Sequence, residues 1–144
     1  MTRIDFYHYA PDKLRYACRV AATVAERESR LVVFCPDERV LSEFDRLLWT
    51  YQSTRFVPHC RATDAIAAET PVVLASGEEA LPHHDVLLNL GDDWPPFFAS
   101  FERLLEIVGT DEDDRNRARS RFVFYRKRGY EINVNAIGEA RADG

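Results

Sequence analysis

Residues 31–35, LVVFC, form a continuous apolar run closed by Arg30 on one side and Pro36 on the other. A strand with one wet face alternates apolar and polar residues. A run that is apolar throughout suits a strand covered on both faces, as in a parallel sheet with helices above and below. The flanks agree with this. Upstream, residues 4–9 read as a short aromatic-rich strand, and Pro11-Asp12 opens a helix. Its apolar positions are Leu14, Ala17, Cys18, Ala21, Val24 and Ala25, the spacing of one buried face. Downstream, Pro36-Asp37 starts a second helix, with proline preset for the first turn and aspartate at the positive end of the dipole. Val40, Leu41, Phe44, Leu47 and Leu48 make its buried stripe. Trp49 falls off that stripe, about 140° from Phe44, where it either caps the core or faces a partner.

Residues 50–58 read as a loop, with Phe56-Val57 before Pro58, and residues 61–70 hold at most one helical turn around Ile66. Val72-Val73-Leu74-Ala75 is a third strand and Val86-Leu87-Leu88-Asn89-Leu90 a fourth. Their closeness across a polar turn at 77–82 predicts an antiparallel neighbour or hairpin in an otherwise parallel sheet. Asp92-Asp93 and Pro95-Pro96 then predict a third helix, with Phe97, Phe98, Phe101, Leu104, Leu105 and Val108 on its face and Gly109 as its C-cap. A helix over residues 111–129 follows, and Tyr130, Ile132 and Val134 alternate as a last strand. The expected architecture is one three-layer α/β domain over residues 1–138. It has a mostly parallel sheet with helices on both faces, Rossmann-like, and a polar disordered tail follows at 139–144.

Several function classes drop out. No apolar run approaches the roughly 20 residues that span a bilayer, and nothing near Arg3 resembles a signal peptide. Cys18, Cys35 and Cys60 are odd in number and too widely spaced for a zinc knuckle. Buried free thiols at Cys18 and Cys35, in a reducing cytosol, are expected instead. The six glycines give neither G-x-G-x-x-G nor G-x-x-x-x-G-K-[ST], and the first strand-to-helix turn, YHYAPDK, has none. A backbone without glycine there does not approach a pyrophosphate, so no nucleotide site is expected. His8, His59, His83 and His84 show no strong ligand spacing, and Asp92-Asp93 suit helix capping. No catalytic residue, metal or cofactor is expected.

Charge distribution carries the positive signal. Seven basic residues and no acidic one stand between Arg115 and Arg128, while the chain's other 12 basic residues face all 24 acidic ones. Positive charge gathered onto one helix of an acidic protein points to a local anionic ligand. Phasing at about 100° per residue puts Ala118 and Tyr125 on the buried seam. Arg115, Arg119, Phe122 and Arg126 fall on one flank; Arg117, Arg121, Phe124 and Arg128 fall on the other. Guanidinium groups grip carboxylates or phosphates in bidentate fashion, and a phenylalanine supplies an apolar floor. That combination suits a single-stranded nucleic acid with a stacked base. It equally suits an acidic peptide ending in an apolar residue and a free carboxylate.

Leu47-Leu48-Trp49 and Phe56-Val57-Pro58-His59 resemble the chi subunit of bacterial DNA polymerase III. So do FYHY at 6–9, DVLLNL at 85–90 and RARSRFVFYRKRGYEINV at 117–134. The similarity runs in order over residues 4–135. It implies a non-enzymatic adaptor of the clamp-loader assembly that binds the acidic C-terminal tail of the single-stranded-DNA-binding protein and pairs with the psi subunit. DNA would be contacted only indirectly, and no membrane is involved. By motif position the tail site would use Arg119 as principal anchor, with Arg115, Phe122 and Arg126 around it. The psi-facing surface would include Trp49 and Phe56. One member of the family has lysine in place of Arg115 and tyrosine in place of Phe122, so charge and aromaticity persist but Phe122 donates no hydrogen bond. The alternative is direct single-stranded nucleic-acid binding by the same helix. The resemblance gives the row Arg117, Arg121, Arg128 no role.

Overall fold

The apolar run at 31–35 lies in the middle of a seven-stranded sheet. In chain order the elements are β1 (Arg3–Ala10), α1 (Lys13–Glu26), β2 (Leu31–Phe34), α2 (Glu38–Thr50), β3 (His59–Arg61), β4 (Val72–Ala75), β5 (Val86–Asn89), β6 (Arg103–Gly109), α3 (Glu112–Lys127) and β7 (Ile132–Ala136). The computed structural model describes residues 1–51, 56–77 and 80–137, so the expected tail at 139–144 lies outside the described residues. Strand order is β3-β4-β2-β5-β6-β1-β7, and every pairing is parallel.

The alternation within β2 shows why it had to be apolar throughout. Leu31 and Val33 pack against the layer of α1 and α2, with Ala17, Ala21, Leu41, Phe44 and Leu48. Val32 and Phe34 pack on the other side with Ala118 and Tyr125 of α3. Each such side chain, fully buried, contributes about 1.5–3 kcal/mol. Cys18 and Cys35 are buried free thiols, and burial pushes Cys18 up to about 12. Asp12 and Asp37 cap α1 and α2, their side chains accepting from the Arg15 and Arg39 amides. Around Ile66 the expected turn is a 3-10 turn, Ala67–Glu69.

Three features differ from the sequence reading. First, residues 72–75 and 86–89 form no hairpin; β4 and β5 flank β2 on opposite sides, both parallel to it. Fully apolar strands belong in the sheet centre, and the segment between them crosses over to place them there. Second, the expected helix through Phe97 and Val108 is one 3-10 turn, Phe98–Ser100, followed by β6 between β5 and β1. A strand buried on both faces mimics a helical stripe, because Leu104 and Val108 serve one layer while Leu105 and Ile107 serve the other. Ile107, off the helical stripe yet fully buried, is the residue that distinguishes them. Gly109 accordingly ends β6 instead of capping a helix. Third, β3 is a short edge strand where only loop and ambiguous chain were expected.

Glu106, in the middle of β6, is completely buried. Arg121 Nε donates to its Oε1 at 3.1 Å, and the Tyr125 hydroxyl donates to its Oε2 at 2.6 Å. Asn89 Nδ2 lies 3.2 and 3.1 Å from the two carboxylate oxygens. Arg121 also donates to the Asp92 carbonyl at 2.7 Å. The node ties β5, β6 and the loop after β5 to two turns of α3. It also corrects the helical phasing: Arg121 points inward, 1% exposed, so the second arginine row is broken at its centre. Removing Arg121 would leave an uncompensated buried carboxylate.

Arg121→Leu is expected to lower the unfolding free energy by about 3–5 kcal/mol near neutral pH, read by urea titration. Burial raises the Glu106 pKa above 4.5, against the opposing pull of Arg121. A raised native pKa favours the fold most below the unfolded value and withdraws that benefit as pH rises through the native one. The variant's deficit should therefore be smallest below 4.5 and grow upward through the native pKa. A deficit under about 1 kcal/mol at every pH would mean the node is not a structural tie.

Candidate functional site

With Arg121 held inward, Ala118 and Tyr125 make the buried seam of α3 and its other arginines turn to solvent. The helix is well specified locally. Asp111 accepts from the Asp114 amide at 3.1 Å, and Glu112, Asp113 and Asp114 occupy the first turn, where the dipole favours anions. Asp114 accepts from the Gly109 amide at 2.8 Å and from Lys13 at 3.0 Å, tying the helix start to the end of β6. Burial alone would push this carboxyl up, but the Gly109 amide and Lys13 outweigh it and hold it below its ordinary value. At the other end Gly129, φ +81°, takes the left-handed conformation that stops the helix. Its amide donates to Arg126, and the Tyr130 amide to Tyr125, which closes the last carbonyls.

The structure gathers Arg115, Arg119, Phe122 and Arg126 along one open cleft of about 450 Å³. Phe6, Val108 and Ala118 form its floor; His8 and Tyr9 of β1 and Val134 of β7 form the opposite wall. Phe122 meets Phe6 edge-on at 5.5 Å, while Arg115 lies 6.0 Å from the Tyr9 ring. Tyr9 has φ +65°, where the β1–β6 register shifts. A non-glycine residue held there is strained, and the Tyr9 ring lines the cleft. Among the described residues Arg119 has only a neutral partner, Asn116 Oδ1 at 3.0 Å, and no carboxylate lines the cleft. Three exposed guanidinium groups over an apolar floor can hold one or more carboxylates and an apolar side chain together.

The second flank has a different fate. Arg117 pairs with Asp92 at 3.2 Å and lies 3.7 Å from Asp114, and Arg121 belongs to the Glu106 node. Phe124 stacks on Trp94 at 3.5 Å, with Arg128 over it at 3.7 Å. Sequence phasing found the row but not these partners, because Asp92, Trp94 and Glu106 come from distant chain.

A second surface is built where α2 ends. Trp49 and Phe56 are each 57% exposed, the most water-facing large aromatics among the described residues. Their rings lie 5.0 Å apart, and His59 of β3 meets them at 4.9 and 5.9 Å. His59 Nδ1 donates to the Val57 carbonyl at 2.7 Å. Its Nε2 is 3.1 Å from Asp45, at ion-pair distance but outside hydrogen-bond geometry. The buried His59 ring thus props the exposed pair. β3 and β7 are opposite edges of the sheet, so this surface and the cleft stand at opposite sides of the molecule. No described helix is long and apolar enough to cross a membrane.

A family model described as DNA polymerase III chi subunit, HolC, matches residues 1–133. The chain is 37% identical over 141 residues to DNA polymerase III subunit chi of Pseudomonas aeruginosa, covering 95% of this chain and 98% of that protein. It is 28% identical to the subunit chi of Haemophilus influenzae, covering 85% of each chain. To that of Escherichia coli it is 26% identical, over 81% of this chain and 80% of the other.

Exposed aromatics that serve no core cost little when removed, whereas a buried hydroxyl partner costs more. Trp49→Ala and Phe56→Ala should each shift urea stability by less than about 1 kcal/mol. Tyr125→Phe, which strips a donor from Glu106, should cost about 1–3 kcal/mol. The reverse order would make the Trp49 surface part of the core.

Proposed function

The chain belongs to the family of DNA polymerase III chi subunits, a replication subunit, and on that premise we propose that it is an adaptor with two faces. The α3 cleft binds the acidic C-terminal tail of the single-stranded-DNA-binding protein, and the Trp49–Phe56 surface pairs with the psi subunit, through which it reaches the clamp loader. The observation that carries this reading is the cleft itself: Arg115, Arg119 and Arg126 ranged over Phe122 and Phe6, with no carboxylate among its described lining residues. A peptide end offers what such a site lacks, a terminal carboxylate, upstream acids and an apolar side chain. By its motif position in the family, Arg119 is the principal anchor.

The adaptor performs no chemistry. It tethers: one face holds a flexible tail displayed in several copies on DNA-coated protein, and the other holds the polymerase assembly in the bacterial cytoplasm. Modest affinity per tail suffices, because neighbouring copies raise the effective concentration. Contacts between exposed charges are screened by salt, so binding weakens as ionic strength rises. DNA is held only at second hand.

Arg119→Ala should weaken tail-peptide binding by about tenfold or more in calorimetry, with circular dichroism unchanged. Full affinity in that variant would overturn the assignment. Trp49→Ala should abolish capture of the psi subunit while tail binding persists; loss of tail binding instead would contradict the separation of the faces. Tight binding of naked single-stranded DNA at physiological salt, without the binding protein, would favour direct nucleic-acid recognition.

A further inference from the structure

Regular strands turn successive side chains to opposite faces, and β1 obeys this at first. Phe6 faces the α3 layer and Tyr7 the layer of α1 and α2. His8 then lines the cleft, as alternation requires, but so does Tyr9, and Ala10 returns to the layer of α1 and α2. The break is a β-bulge. Tyr7 pairs with Ile107 and Ala10 with Gly109, so His8 and Tyr9 together stand against Val108 alone. Tyr9 is the residue at φ +65°. Bulges beside functional sites re-aim a side chain, and this one puts two consecutive rings, 4.4 Å apart, on one wall of the cleft.

Glycine holds a left-handed bulge position without strain, whereas a tyrosine there is strained. The fold recovers little in return. The Tyr9 ring is 36% exposed and belongs to neither core cluster, and its hydroxyl has no hydrogen-bond partner among the described residues. Its neighbours are the His8 ring and, at 6.0 Å, the Arg115 guanidinium. A strained residue that gives the fold so little points to a ligand.

We propose that Tyr9 makes the cleft selective for a bulky apolar side chain at the ligand's chain end. That side chain lies between the Tyr9 ring on one wall and Phe6 and Phe122 on the other side, while the arginines hold the carboxylates. The proposal rests on the tail-binding reading above and adds the residue that reads the terminal side chain. Aromatic rings meeting edge to face attract beyond the area they bury, and Phe6 and Phe122, 5.5 Å apart, already meet that way. A phenylalanine entering between them and Tyr9 extends the cluster, whereas an alanine methyl offers no ring to either wall. The rival role for Tyr9 is to steer Arg115. Losing the ring would then weaken every acidic peptide alike, whatever its last side chain.

The test uses the full chain, fluorescence anisotropy and thermal melts, with two acidic peptides identical except that one ends in phenylalanine and the other in alanine. Tyr9→Gly and Tyr9→Asn both suit the left-handed backbone and remove the ring. Each should weaken the phenylalanine peptide by about fivefold, move the alanine peptide by less than about twofold, and melt no lower than the parent. Tyr9→Phe should match the parent on both peptides, because the ring and not the hydroxyl is the reader. Equal weakening of the two peptides in Tyr9→Gly and Tyr9→Asn, or of neither, overturns the proposal. So does a lower melting temperature in both of those variants, or lost selectivity in Tyr9→Phe. The tail reading fails separately: it is sunk if the parent binds neither peptide, or if Arg119→Ala keeps full affinity for both.

Discussion

A single buried carboxylate sets the geometry on which both faces of α3 depend. Glu106 sits in the centre of the sheet with no solvent exposure and takes hydrogen bonds from Arg121, Tyr125 and Asn89. An ion in that position is costly to desolvate, and the pair adds little net stability over an apolar replacement. What it supplies is orientation. Because Arg121 and Tyr125 must both reach Glu106, the rotation of α3 about its axis is fixed. With that rotation fixed, Arg115, Arg119 and Arg126 face the β1–β7 edge, and Arg117 and Arg128 face Trp94 and Asp92. A small turn of the helix would bury a different cation and empty the cleft of its charge.

The sheet then separates the surfaces. Seven parallel strands place β3, which carries His59, at one edge and β7, which carries Val134, at the other. At about 4.8 Å per strand spacing the two edges are roughly 29 Å apart. The Trp49–Phe56 pair belongs to the layer of α1 and α2, and the cationic cleft to the layer of α3. The proposed adaptor role would gain from such an arrangement, since one ligand would not crowd the other. The two surfaces also differ in chemistry: one is built on exposed aromatic rings, the other is cationic over an apolar floor.

Much of this was legible in the chain, and the failures have physical causes. The 31–35 run announced a doubly covered strand, and helical phasing placed Ala118 and Tyr125 on the seam and Arg115, Arg119, Phe122 and Arg126 on one flank. The segment through Phe97 and Val108 misled because a central strand buried on both faces presents apolar residues at helical spacing as well as at strand spacing. Glu106 lies within it, and three donors from elsewhere in the fold make its burial tolerable. Arg121 was misassigned for the same reason, since its partner is 15 residues away. The hairpin expectation failed because closeness in sequence says nothing of a crossover over β2. Tyr9, His8 and Val134 carried no sequence signal for the cleft at all; strand pairing brings them there.

The central claim is that the fixed rotation of α3 presents one arginine row to a peptide chain end. Backbone amide NMR during titration with an acidic peptide ending in phenylalanine tests it most directly. The account predicts shifts that saturate together at Arg115, Arg119, Phe122 and Val134, with Trp49 and His59 unmoved. Shifts centred on Trp49, Phe56 and His59, with the α3 amides silent, would contradict it.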